Sequence, residues 1–165
     1  MLYLDIKNVT DTLKLMKEAE ITVSAFYKLC SQTTEKYKSF WEGLSQAEIS
    51  HSQNIEDILR QITEDPVKFT AGRDFEPSRI KALINEVKEK MNQVRNGKLA
   101  GNKIFLVARN FENSIIESKY GELVKSDKTG FLSAFREILR QTIEHKEMIE
   151  SKIKELNILS IELND

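Results

Sequence analysis

Pro66 and Pro77, the only prolines, stand close together near the middle of a chain of 165 residues. Proline removes a backbone donor and clashes with the preceding turn, so it breaks a helix wherever it falls in the interior. Outside that central segment the apolar residues recur at three- and four-residue spacing, the pattern of helices with one buried face. Strand-like alternation is nearly absent. The chain therefore reads as all-α, with two long helices before the prolines and two after.

The first helix is expected over about 8–31, with Asn8 or Thr10 as its N-cap, and the second over about 35–62. The polar Gln32-Thr33-Thr34 joins them. Asp65-Pro66 ends the second helix, and the stretch to Glu76-Pro77, containing Gly72, reads as loop. A shorter amphipathic helix over about 78–94 stops near Asn96-Gly97. The third long helix is expected over about 100–124, a turn over 126–130, and the fourth helix over about 131–157. Short joints within each pair make antiparallel hairpins, and the ~35-residue connection between the pairs is long enough to cross from one end to the other. The expectation is an antiparallel four-helix bundle with a long crossover carrying a short extra helix, and residues 1–165 as one domain.

Charge narrows the partners. The chain carries 25 basic and 26 acidic residues, which nearly cancel, so nucleic acid and anionic membranes have no electrostatic support. No apolar run approaches the ~20 residues needed to cross a bilayer. Met1-Leu2-Tyr3-Leu4-Asp5-Ile6-Lys7 lacks the charged start and apolar stretch of a signal peptide. The single cysteine, Cys30, excludes an internal disulfide and a four-cysteine metal knuckle, and reads as a small core hydrophobe. A soluble, cytoplasmic protein is the expectation.

Placing each side chain on a helical wheel puts polar groups among the apolar ones. Leu13, Met16, Val23, Phe26, Tyr27 and Cys30 share a face with Glu20. Phe40, Trp41, Leu44, Ala47, Ile55, Ile58, Leu59 and Ile62 share one with Glu48 and His51. Ile104, Phe105, Ala108, Phe111, Ile115, Ile116 and Leu123 surround Glu112. Phe131, Phe135, Ile138, Leu139, Ile149 and Ile153 share a face with Thr142 and, off-centre, His145. Glu48 and His51, one helical turn apart, can grip one ion. The halves echo one another, with Tyr27, Trp41, Glu48 and His51 matched by Tyr120, Phe135, Thr142 and His145. Three carboxylates and two imidazoles at one level need a compensating cation, and such donors suit iron or manganese, and zinc as well.

Glu20 followed by Tyr27, the Glu48-Ile49-Ser50-His51 motif, Glu112 and His145 together resemble the ferritin-like superfamily of di-iron carboxylate proteins, rubrerythrins in particular. The resemblance spans essentially the whole chain and implies a ferritin-like topology. It implies Glu20 and His51 as terminal ligands of one metal, Glu48 as a bridge, and Glu112 and His145 as terminal ligands of a second. It also implies one or two iron ions, oxygen or peroxide as substrate, and an external electron donor. The chain departs from the family at Thr142, where a second bridging glutamate would stand. A strict copy of the Glu20-to-Tyr27 spacing selects Asn113, whereas the wheel favours Glu112. With one cysteine, no rubredoxin-like module can form.

Two readings stand. One is a non-haem iron metalloprotein with oxidoreductase activity, binding its ions through Glu20, Glu48, His51, Glu112 and His145. The other is a metal-free scaffold or partner-binding module, in which Arg109 neutralises the carboxylates. Tyr27 and Tyr120 read as packing residues whose hydroxyls bond a ligand, and Trp41 and Phe135 as core. Apolar residues in the crossover helix and in the Ile158-Leu159-Ser160-Ile161 tail are compatible with a homodimer.

Overall fold

A computed structural model describes residues 3–72, 76–118, 123–126 and 129–156. Tyr120, the side chain of Phe131 and the 158–161 tail lie outside them. Five α-helices occur among the described residues: α1 (Tyr3–Ser31), α2 (Lys38–Glu64), α3 (Pro77–Arg95), α4 (Lys103–Ser118) and α5 (Thr129–Glu155). Two short strands, β1 (Phe69–Ala71) and β2 (Val124–Ser126), pair antiparallel. The all-α expectation holds, with this ribbon as an addition.

Side-chain chemistry explains several boundaries. α1 begins before Asn8 because neither proposed cap acts as one: the Thr10 hydroxyl donates back to the Lys7 carbonyl, and Thr12 to that of Asn8. Such back-bonding belongs inside a helix. The end of α1 is closed by the Thr33 hydroxyl on the Cys30 carbonyl, and a single 3₁₀ turn (Glu35–Tyr37) then leads into α2. Pro77 opens α3 at a position where its missing N–H costs nothing. Gly97, at φ +68°, ends α3 with Lys98 and Leu99 both donating to the Gln93 carbonyl.

The expected third helix is shorter than 100–124, because Val124 belongs to β2, where it pairs with Ala71. Leu123 accepts from the Gly72 N–H at 2.8 Å. Phe69, Leu123 and Val124 are buried, so the ribbon covers one end of the helices with apolar side chains.

Contacts fix the directions. Ser24 donates to the Ser45 carbonyl, and Lys28 and Lys17 pair with Glu42 and Glu56, so α1 and α2 are antiparallel. Near the starts of α2 and α4, Tyr37, Phe40 and Trp41 meet Phe105, at ring distances of 5.2, 5.7 and 4.7 Å. Beyond their other ends the ribbon joins β1 to β2. Hence α2 and α4 run the same way. Gln141 reaches His51 while His145 reaches Glu48, so α5 opposes α2. The 19 residues of α3, about 28 Å at 1.5 Å each, carry the chain back along α1, where Lys88 pairs with Glu18 at 3.2 Å.

One inward expectation fails. Leu139 is 42 % exposed. It lies at the edge of the stripe defined by Phe135, Ile138, Thr142, Ile149 and Ile153, and the interior is filled without it. No helix among the described residues is long and apolar enough to cross a membrane.

Candidate metal centre

Four of the described helices, α1, α2, α4 and α5, deliver polar side chains to one buried place. Glu20 comes from α1, Glu48 and His51 from α2, Glu112 from α4 and His145 from α5. The first four are fully buried and His145 is 7 % exposed, at the rim. They form two triads, Glu20/Glu48/His51 and Glu48/Glu112/His145, with the ligand atoms of each triad within 4.8 Å of one another. Glu48 belongs to both.

The distances show how the groups share the space. His51 Nδ1 lies 2.8 Å from Glu48 Oε2 and 3.7 Å from Glu20 Oε2. His145 Nδ1 lies 2.8 Å from Glu48 Oε1. That approach lacks hydrogen-bond direction, since both atoms stay without a hydrogen-bond partner. Two atoms so close yet not aimed at each other suit neighbouring ligands of one ion, which sit about 3 Å apart when each bond is about 2.1 Å. The two imidazole rings are stacked at 5.4 Å.

Among the described residues, the buried side-chain polar atoms without a hydrogen bond are Glu20 Oε1 and Oε2, Glu48 Oε1, Glu112 Oε2 and His145 Nδ1. All five belong to this cluster. Each such atom costs about 1–3 kcal/mol. Five together approach the whole stability of an ordinary domain, about 5–15 kcal/mol. A cation or protons must therefore complete the site.

Electrostatics shows where protons sit without an ion. Burial, reinforced by the Glu48 charge and eased by His51, pushes the Glu20 carboxyl up to about 8. Burial and the Glu48 charge hold Glu112 well above the usual carboxylate range. Burial opposes charge on Glu48 too, but its histidine partners outweigh that and keep it ionised well below the usual range. Burial lowers His51, yet Glu20 and Glu48 override it and raise it to about 11. In the metal-free cluster the surroundings thus favour the protonated forms of Glu20 and Glu112 and the charged forms of Glu48 and His51.

The surroundings orient the groups. The Tyr27 hydroxyl donates to Glu112 Oε1 at 2.5 Å, leaving Oε2 facing the cluster, and Tyr27 stacks on Trp41 at 5.7 Å. Glu112 is buried and Asn113 only half-buried, so the apolar wheel selected the inward residue correctly. Thr142 is buried, but its hydroxyl donates to the Ile138 carbonyl of its own helix. Arg109 is half-buried and forms no ion pair with Glu20, Glu48 or Glu112. Cys30 is buried, and burial pushes its thiol up, so it is a core residue.

Sequence reasoning missed Gln141, whose Oε1 lies 2.8 Å from His51 Nε2. The signal was available in register: when antiparallel helices set Glu48 against His145, the residue facing His51 falls near position 141. Comparison of the chain with protein-family models, with curated proteins and with solved structures found no match.

Proposed function

We propose that this chain is a ferritin-like metal-binding protein, a four-helix bundle that holds one or two iron ions, with manganese or zinc as substitutes. The observation that carries the reading is the cluster of five unpartnered buried atoms on three carboxylates and one imidazole, with His51 beside them. The donor set fits such ions: oxygen and imidazole nitrogen, with no thiolate. Glu20 and His51 would hold one ion and Glu112 and His145 the other, with Glu48 belonging to both triads. Tyr27 fixes the Glu112 carboxylate, and the apolar shell excludes water. Bound redox-active ions supply one-electron chemistry and open positions for oxygen or peroxide. His145, at the rim, marks the side from which a small oxidant would arrive, and turnover would need an external electron donor. The metal-free scaffold reading loses its neutralising residue, because Arg109 does not reach the carboxylates.

The test is metal analysis combined with calorimetry. Protein refolded with Fe(II), Mn(II) or Zn(II) under anaerobic conditions should retain one to two ions per chain. It should melt several degrees higher than chelator-treated protein, since a tight ligand of the native state stabilises it by mass action. Retention of no ion, with identical melting curves, overturns the proposal.

A further inference from the structure

The least expected contact at the cluster is a polar relay that crosses from α2 to the surface of α5. His51 Nε2 faces Gln141 Oε1 at 2.8 Å. Gln141 Nε2 donates to Glu137 Oε1 at 2.5 Å. Arg140 grips the same carboxylate from two sides, Nη2 on Oε1 at 2.5 Å and Nε on Oε2 at 2.9 Å.

Hydrogen-bond direction propagates along this relay. A carboxylate can only accept, so the Gln141 atom facing Glu137 must be the amide nitrogen. Gln141 therefore turns its oxygen toward His51. An amide oxygen also only accepts, so His51 must carry its proton on Nε2. That leaves Nδ1 with a free lone pair once the metal arrives, and Nδ1 is the nitrogen beside Glu48 and Glu20.

We infer that Gln141, held by Glu137, is a positioning residue that commits His51 to bind its ion through Nδ1. The inference rests on the metal-binding reading above and adds a residue to it. The relay is one-sided: Gln141 bonds the ring of His51, so the Glu112/His145 half serves as an internal control. Outer partners of ligating histidines fix the ring and its tautomer, and losing one costs about 10–100-fold in metal affinity.

The experiment loads ¹⁵N-histidine-labelled protein with Zn(II), a diamagnetic probe, and reads the imidazole nitrogens by NMR beside zinc affinity by competition titration. Wild-type protein should show His51 with a protonated Nε2 and a zinc-shifted Nδ1. Gln141→Leu should weaken the His51 half by about 10–100-fold, with the His145 signals little changed. The double variant Gln141→Glu with Glu137→Gln keeps an acceptor opposite Nε2 and a donor–acceptor pair between positions 141 and 137, and should preserve both affinity and tautomer. Zinc on Nε2 of His51, or a Gln141→Leu variant that binds as wild type does, overturns the inference and leaves the metal reading standing. Failure of wild-type protein to take up zinc at all sinks both.

Discussion

The two hairpins build unequal halves of one site. In α1–α2, two carboxylates and a histidine lie within one hairpin, and an outer amide holds the histidine. In α4–α5, Glu112 and His145 must borrow Glu48 across the core, Glu112 depends on Tyr27 from the other hairpin, and Thr142 contributes only to its own helix. The difference teaches that completeness of a half-site depends on what its own helices carry. A half that is one carboxylate short still gathers three candidate ligands when a neighbour's carboxylate has a second oxygen to offer.

Removing the shared group should break both halves at once. Glu48→Ala is expected to lower affinity for both ions by more than about 100-fold, since loss of an outer partner alone costs about 10–100-fold. Glu20→Ala and Glu112→Ala should each spare the opposite half. Competition titrations check this, and a Glu48→Ala variant that keeps one ion would show the halves to be independent.

Adding a carboxylate to the Glu112/His145 half should sharpen the contrast in the other direction. Thr142→Glu should tighten the Glu112/His145 ion by about 10-fold or more, while lowering the melting temperature of metal-free protein by adding a buried acid. Metal stoichiometry and calorimetry on the same variant decide it, and weaker binding of the second ion refutes the assignment.

Acidity separates the metal-free and loaded forms. Glu20 rises from 4.5 to about 8, and His51 from 6.5 to about 11. Both folded-state values are raised, so native protein binds more protons than unfolded protein between these limits, and stability falls as pH rises. The Glu48 value is depressed, so its contribution is present above 4.5 and is lost only in strong acid. The metal-free melting temperature should therefore fall by roughly 5 °C or more from pH 5 to pH 8. The increment added by metal should grow over the same range, because the ion needs those protons gone. A metal-free melting curve that is flat or rising across this window contradicts the assignment.

The smallest effect is expected at the bridge between hairpins. Tyr27→Phe leaves Glu112 Oε1 buried without its donor, a cost of about 1–3 kcal/mol. It should weaken only the Glu112/His145 ion. Equal weakening of both ions would mean that Tyr27 supports the whole core.

Much of the site was legible in the chain because it follows helical geometry. Glu48 and His51 are one turn apart, and Glu20 and Glu112 interrupt apolar stripes that continue on either side. Gln141 was not legible alone, since a half-exposed glutamine at a helix edge looks like any solvated residue until the opposing helix is placed. Sharing of Glu48 is likewise a property of four helices together. The ribbon escaped notice because three-residue strands are too short to show alternation. Leu139 misled because a wheel shows direction but not how far the neighbouring helix reaches.

That ribbon has a mechanical consequence for the buried cluster. It clamps the chain just beyond α2 to the chain just before α5, with Phe69 opposite Ser126 and Ala71 opposite Val124. Sliding by one residue would shift one hairpin against the other by about 3.4 Å along the strands and turn either Phe69 or Val124 out into water. A shift of that size would carry His145 out of reach of Glu48 Oε1. The three ladder rungs thus act as a length gauge, holding the end of α2 and the start of α5 in one register.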